Sequence, residues 1–227
     1  MQVESSQSVI MQPVTVRHLG SRRFEDAHQQ MLNLQGQLAD ARSAAVETLL
    51  LFEPSAVITL GSKSSDGDLL VDEETLKTRG VTIQSVDRGG EATYHGPGQL
   101  IAYPVLRLRP QERDLHRLLR ALESAIVTTL DQWGIESRTD SDHTGVWVQH
   151  RKIACIGMSV RRWVTGHGSA LCISGDLSPF RWIVPCGIHD CPFTSMEQEL
   201  GTAPRFDEVE TVLAANLLEV FNRMASS

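Results

Sequence analysis

The cysteines at positions 155, 172, 186 and 191 are the chain's four thiols, and Cys186 stands in a context unlike the rest. It lies in "IVPCGI", where Pro185 fixes the approach of the backbone and Gly187 leaves the thiol side open. Such a residue can be a nucleophile, or simply a small buried hydrophobe, as most free cysteines are. A nucleophilic reading requires a nearby cation or base, because a thiol near pKa ~8.5 is mostly protonated at pH 7. Three residues are candidates for that partner. Lys152 opens the apolar run in "RKIACIG", where it reads equally as a solvated strand-end lysine. His167 sits between two glycines in "TGHGSAL", a pattern that turns also use. His95 belongs to "RGGEATYHGPGQL", residues 88–100.

That last stretch crowds glycines and a proline around Glu91, Tyr94, His95 and Gln99. Glycine weakens the interior of a strand, so the composition predicts a loop whose main chain closely approaches a ligand.

Regular elements must hold these pieces. "VTVRHLG" (14–20) alternates as a strand does, and residues 22–43 carry Ala27, Met31, Leu34 and Leu38 at helical spacing. Strands are expected at 47–53 and 55–61, a short helix over 71–80 ended by Gly80, and strands at 81–87 and 99–108. A helix over 111–133 is expected to bury Leu115, Leu118, Leu119, Leu122, Ile126, Leu130 and Trp133 and to end at Gly134. Three strand-like pieces follow between 144 and 173, punctuated by Gly145, Gly157 and Gly168. Residues 207–224 predict an amphipathic helix with Asp207 and Glu210 as a capping box. Strands outnumber helices and often follow one another directly. This argues for an α+β fold in one domain, with a mixed, largely antiparallel sheet flanked by helices. The domain is expected over 13–227, after a frayed tail of residues 1–12.

The bulk properties narrow the classes. With 28 acids against 21 basic residues the net charge is −7, which argues against a general nucleic-acid binder. No run of about 18 apolar residues suggests a membrane span, and the N-terminal stretch fits neither a signal nor a transit peptide. The few cysteines fit a reducing cytoplasm.

Taken in order, "RGGEATYHGPGQL", "RKIACIG", "HGSAL" and "LSPFRWIVPCGI" resemble the lipoyl(octanoyl) transferases of the biotin/lipoate protein ligase superfamily, from about residue 47 onward. The resemblance implies a biotin/lipoate ligase-like fold and a cofactor-independent acyltransferase. Its substrates would be an octanoyl-acyl carrier protein as donor and, as acceptors, lipoyl domains of 2-oxoacid dehydrogenases and the glycine cleavage H protein. It also implies residue roles. Cys186 would form the acyl thioester and Lys152 would lower the pKa of its thiol. Arg88, Gly89, Gly90, Glu91, Ala92, Thr93, Tyr94 and His95 would line the acyl-thioester site. Backbone around Cys155, Ile156 and Gly157, and around Gly168, Ser169 and Ala170, would complete it. On this reading Cys155, Cys172 and Cys191 are each dispensable for the chemistry. No cofactor, metal, nucleic acid or membrane is expected, and the protein is expected to be a monomer. The family usually has leucine at the place of Ser169 and asparagine at that of Cys172, so the pocket's shape is expected to differ. The docking of a carrier has one sequence candidate, "RLRPQERDLHRLLR", with arginines at 107, 109, 113, 117 and 120. Other readings stay open: an ATP-dependent lipoate or biotin ligase, a non-catalytic acyl-binding protein, or a metal module using Cys172, Cys186, His189 and Cys191.

Overall fold

The computed structural model describes residues 12–40, 42–188 and 191–225. The expected tail lies outside these, apart from Gln12, which already pairs as part of the first strand. In chain order the elements are β1 (Gln12–Arg22), α1 (Phe24–Ala39), β2 (Thr48–Pro54), β3 (Val57–Leu60), α2 (Glu73–Thr78), β4 (Thr82–Ser85), β5 (Ala92–His95) and β6 (Gln99–Val105). Then come α3 (Leu115–Asp131), β7 (Arg138–Thr139), β8 (Val146–Val148), β9 (Arg151–Arg161), β10 (Val164–Cys172), α4 (Met196–Leu200), α5 (Phe206–Val220) and β11 (Arg223–Ala225).

Eight strands form one sheet in the order β11-β1-β2-β6-β10-β9-β8-β7, and β4-β3-β5 form a smaller one. The contacts of β1 with β2 and β11, and of β3 with β4, are parallel, and the remaining pairs are antiparallel. The central strands β6 and β10 are buried at every residue, as expected of strands with both faces covered. On one face α1 buries Phe24, Ala27, Met31, Leu34 and Leu38 against β2, β6 and β10. On the other, Leu118, Leu122, Ile126 and Leu130 of α3 and Val209, Leu213 and Leu217 of α5 close a second core. A third core joins the small sheet to Leu76 of α2 and to Phe180 and Ile183 of the segment before Cys186. Among the described residues no helix is long and apolar enough to cross a membrane.

Several sequence expectations are corrected. The glycine-rich stretch is not a loop throughout, because Ala92–His95 is the fully buried strand β5, with glycines only at its two ends. The hairpin between β9 and β10 turns at Arg162 and Trp163, both at positive φ (49° and 63°), which is what a two-residue type I′ connection demands. Gly157 and Gly168 therefore do not punctuate strands but face each other within the β9–β10 pair. A Cβ on Gly168 would stand 2.2 Å from the Ala102 carbonyl oxygen of β6, so only glycine lets the two strands meet there. The helix of 111–133 starts at Leu115 behind the capping Asp114, and Leu115 itself is exposed rather than part of the buried stripe. The capping box of α5 does not form: Arg205 holds the cap position with no side-chain cap, and Asp207 receives its guanidinium instead. That helix stops at Val220, and Asn222 at φ 50° turns the chain into β11.

Candidate active site

Cys186 stands on a turn laid against the small sheet. Pro185 bridges to Ala92 at the start of β5, and the Cys186 amide donates to the Ala92 carbonyl at 3.1 Å. The residue has φ 55°, a left-handed conformation that is uncommon for a side-chain-bearing residue and concentrates at functional sites. Gly187 follows at φ 69°. Proline before and glycine after are the local reason this turn is possible.

Lys152 reaches the same point from β9. It is fully buried, its strand position fixed by pairing with Trp147 of β8 and by a bridge to Phe193 on the other side. Its Nζ donates to the Thr144 carbonyl at 3.1 Å and lies 4.9 Å from the centre of the Trp147 ring, and the side chain lines one cleft with Cys186. Gly145 (φ 138°) makes room for it, since a Cβ there would come within 2.9 Å of the lysine Cε. The Thr144–Gly145 turn is itself held from α3, because the Gly145 amide donates to the buried Glu123 carboxylate at 2.9 Å, and Arg120 holds that carboxylate at 2.6 Å.

Electrostatics separate the four thiols. The Cys186 thiol is lowered to about 6, first by a hydrogen bond from the Cys155 thiol, and further by the positive charges of Lys152 and Arg88, against the opposing effect of burial. Cys155 shifts the other way, held protonated by its bond to the Cys186 sulfur and by burial. Thr93 Oγ1 in turn donates to the Cys155 sulfur at 3.6 Å. Burial pushes Cys172 up to about 12 and Cys191 up to about 11, leaving both as neutral thiols at neutral pH. Burial alone would lower Lys152, but the facing Cys186 charge outweighs it and the ammonium is favoured. Of the three candidate partners of the thiol, the structure thus brings Lys152 onto Cys186. Burial lowers His95 to about 3 and also lowers His167, so both imidazoles are neutral at pH 7.

A narrow cavity of about 30 Å³ opens behind Cys186. Arg88, Thr93, His95, Cys155, Ile156, Gly157, Gly168, Ser169 and Ala170 line it, all of them expected from the sequence. Gly89, Gly90 and Glu91 line the outer cleft instead, together with Lys152 and Cys186. Ala92 and Tyr94 line neither. Strand alternation turns them away from Thr93 and His95, into the third core, where Tyr94 meets the Phe180 ring edge-on at 5.6 Å. The buried Arg88 is anchored by donating to the Thr59 carbonyl at 2.8 Å and to its hydroxyl. Sequence reasoning missed Ile101 and Tyr103 as lining residues. Their place at alternate positions of β6 was the available signal, but a strand buried on both faces does not disclose which face adjoins a cavity.

Behind His167, His28 and Asp87 bring one ligand atom each within 4.8 Å of one another, the one such group among the described residues. His167 is already hydrogen-bonded to Asp87 at 2.8 Å, and the Arg88 charge acts on it, which opposes a further cation. The cysteines of the metal alternative form no such group among the described residues, and His189 lies outside them.

A thiol of depressed pKa beside a buried lysine, at the mouth of a cavity in a two-sheet α+β domain, defines a candidate nucleophile site. The chain belongs to the lipoyl protein ligase A/B catalytic domain family, whose model matches residues 27–218. It is 44% identical to an octanoyltransferase of Solibacter usitatus (strain Ellin6076) over 93% of this chain and 94% of that protein. To an octanoyltransferase of Geobacter metallireducens (strain ATCC 53774 / DSM 7210 / GS-15) it is 41% identical, over 88% and 89%. Its fold matches that of a lipoate-protein ligase A bound with ATP at a TM-score of 0.72 and 16% identity, covering 96% of this chain and 88% of that one. A bipartite lipoate protein ligase from Thermoplasma acidophilum, described with its E2 lipoyl domain, matches at 0.68 and 14% identity, covering 96% and 86%.

Proposed function

We propose that the chain transfers an octanoyl group from an acyl carrier protein to the lysine of a lipoyl domain through a thioester on Cys186. That the enzyme is an acyltransferase of protein lipoylation rests on its family and on octanoyltransferase relatives matched over most of their length. The observation that supports the covalent route is the buried Lys152 lining one cleft with Cys186, where its charge helps to lower the thiol.

In the first half-reaction the Cys186 thiolate attacks the carbonyl carbon of the donor thioester. The carbon–sulfur bond to the carrier's arm then breaks, and the leaving thiolate takes a proton from Lys152. The Gly89 amide is occupied by the Met158 carbonyl at 3.0 Å, whereas the Gly90 amide has no acceptor among the described residues and lines the same cleft. Gly90 is therefore the donor offered to the tetrahedral oxyanion. Once Cys186 is acylated its negative charge is gone. Burial, the effect that lowers Lys152, is then unopposed, because Cys155 and Cys191 are protonated. The neutral amine is ready to take the proton of the attacking substrate lysine. The amide forms and the Cys186 thiolate is released. Thioester exchange is close to thermoneutral and thioester aminolysis is downhill, so the sequence as written needs no ATP. Splitting the transfer into two steps is the gain of covalent catalysis.

The cavity behind Cys186 receives the acyl chain. Its burial contributes up to ~5 kcal/mol at ~0.8 kcal/mol per methylene, with Ile101, Ile156 and Ala170 as apolar lining. Nucleophile, cation and cavity come from one chain, so a monomer suffices.

Incubation with octanoyl-carrier protein followed by intact-mass measurement tests the reading. The enzyme should gain one octanoyl group at Cys186, and the isolated adduct should acylate a lipoyl domain with no donor present. A Cys186→Ala variant that turns over like the wild type would remove the thioester from the mechanism.

A further inference from the structure

Three of the five large apolar side chains exposed among the described residues, Leu115 (48%), Trp163 (46%) and Val160 (37%), gather on one face. They line a single depression between the start of α3 and the β9–β10 hairpin, with Arg113, Asp114 and Arg162 at its edge. The structure sorts the five arginines singled out in the sequence. Arg107 is tied to the Leu38 carbonyl, Arg109 to Glu112 and Arg120 to Glu123, all of them contacts that serve the fold. Arg113 lies over the Trp163 ring at 4.7 Å, and neither it nor Arg117 makes an ion pair among the described residues. The hairpin adds Arg161 and Arg162, which are exposed and equally unpaired. Asp114, the acid of the depression, faces its own helix, accepting from the Arg117 amide at 3.1 Å. In a chain of net charge −7, two cations without an ion pair among the described residues, Arg113 and Arg162, beside an exposed tryptophan are not an average surface.

The depression also leads to the active site. Leu115 belongs both to it and to the outer cleft that contains Lys152 and Cys186. We infer that this patch is the docking surface for the acyl donor: an acidic carrier protein whose apolar spot seats on Trp163, Leu115 and Val160 while its carboxylates face Arg113 and Arg162. The inference rests on the acyl-transfer reading above. It favours the donor because an acyl group on a long flexible arm can cross the cleft from a carrier seated at one side. An acceptor lysine has a short reach and brings its own domain to the mouth.

The test uses Arg113→Glu, Arg162→Asp and Trp163→Ala in the full chain, with acyl-enzyme formation followed by intact mass. The donors are an octanoyl-carrier protein and a small octanoyl thioester without protein. With the carrier, the charge-reversed double variant should lose roughly ten-fold or more in kcat/KM, mainly through KM, and added salt should slow the wild type. With the small thioester all variants should match the wild type, as should transfer from isolated acyl-enzyme to a lipoyl domain. Carrier kinetics unchanged by the substitutions would overturn the inference while leaving the active-site reading intact. A defect confined to the acceptor step would overturn it in favour of a lipoyl-domain surface. Absence of acyl-enzyme from both donors in the wild type would overturn both readings.

Discussion

Replacing Lys152 by alanine removes one of the two cations that lower the Cys186 thiol, while Cys155 and Arg88 still oppose burial. On the thioester reading the acid limb of kcat/KM follows the thiolate and should move up from about 6 toward the ordinary thiol value of ~8.5, held short of it by Cys155 and Arg88. A pH–rate profile that does not move would remove Lys152 from control of the nucleophile. Cys155 makes a separate contribution. Its thiol is the largest influence lowering Cys186, so Cys155→Ala should shift the acid limb in the same direction, and Cys155→Ser, which keeps a donor, should restore most of it. The sequence reading treats Cys155 as dispensable for chemistry. The structure places it in the same cavity lining as Cys186, and the alanine and serine variants test whether it acts on the thiol. A purely structural role for Cys155 would change stability and leave the profile in place.

At the level of elements, α3 governs the lysine without touching the thiol. Glu123 accepts from the Gly145 amide, and the adjoining Thr144 carbonyl receives Lys152 Nζ. Glu123→Ala leaves that buried amide unpaired and should cost about 1–3 kcal/mol in urea unfolding, with a slower acyl transfer. Glu123→Gln, which keeps an acceptor, should recover most of both. Nothing in the sequence marks Glu123: it falls among the polar positions of a helix whose apolar stripe is plain to read, and its burial is set by a loop 22 residues away. The same limit explains β5. "EATYHG" reads as part of a glycine-rich loop, since local composition says nothing of the strand β3 that pairs with it. By contrast the Pro-Cys-Gly turn and the Lys-Ile strand start were legible, because proline, glycine and a lysine before an apolar run carry their conformational meaning locally. The true turn between β9 and β10 was not, because Arg162 and Trp163 are unusual residues for positive φ, while the neighbouring glycines drew the boundary to themselves.

For the whole molecule, acid should loosen the sheet at one edge first. Arg223 of β11 pairs with Glu47 at 2.6 Å and with Glu112 at 3.0 Å. Burial raises Glu112, but bonds from Arg109 and Arg223 outweigh it and lower the carboxyl from 4.5 to about 2. A carboxylate depressed in the folded state stabilises fully above its unfolded value, and that contribution fades as pH falls from about 4.5 to about 2. Thermal melts across this window should fall more steeply for the wild type than for Glu112→Gln.

That edge also decides how the chain can be cut and rejoined. Gln12 pairs with Arg223 and Val14 with Ala225 in parallel register, so residues 12 and 225 stand about 8 Å apart by strand spacing and rise. A bridge of about three or four residues spans that gap. A circular permutant linked there and opened between Thr202 and Ala203, in the exposed turn joining α4 to α5, should fold and keep acyl transfer. Loss of both in a permutant that is otherwise soluble would mean that the order in which β1 and β11 are made, and not only their final pairing, is needed to close the sheet.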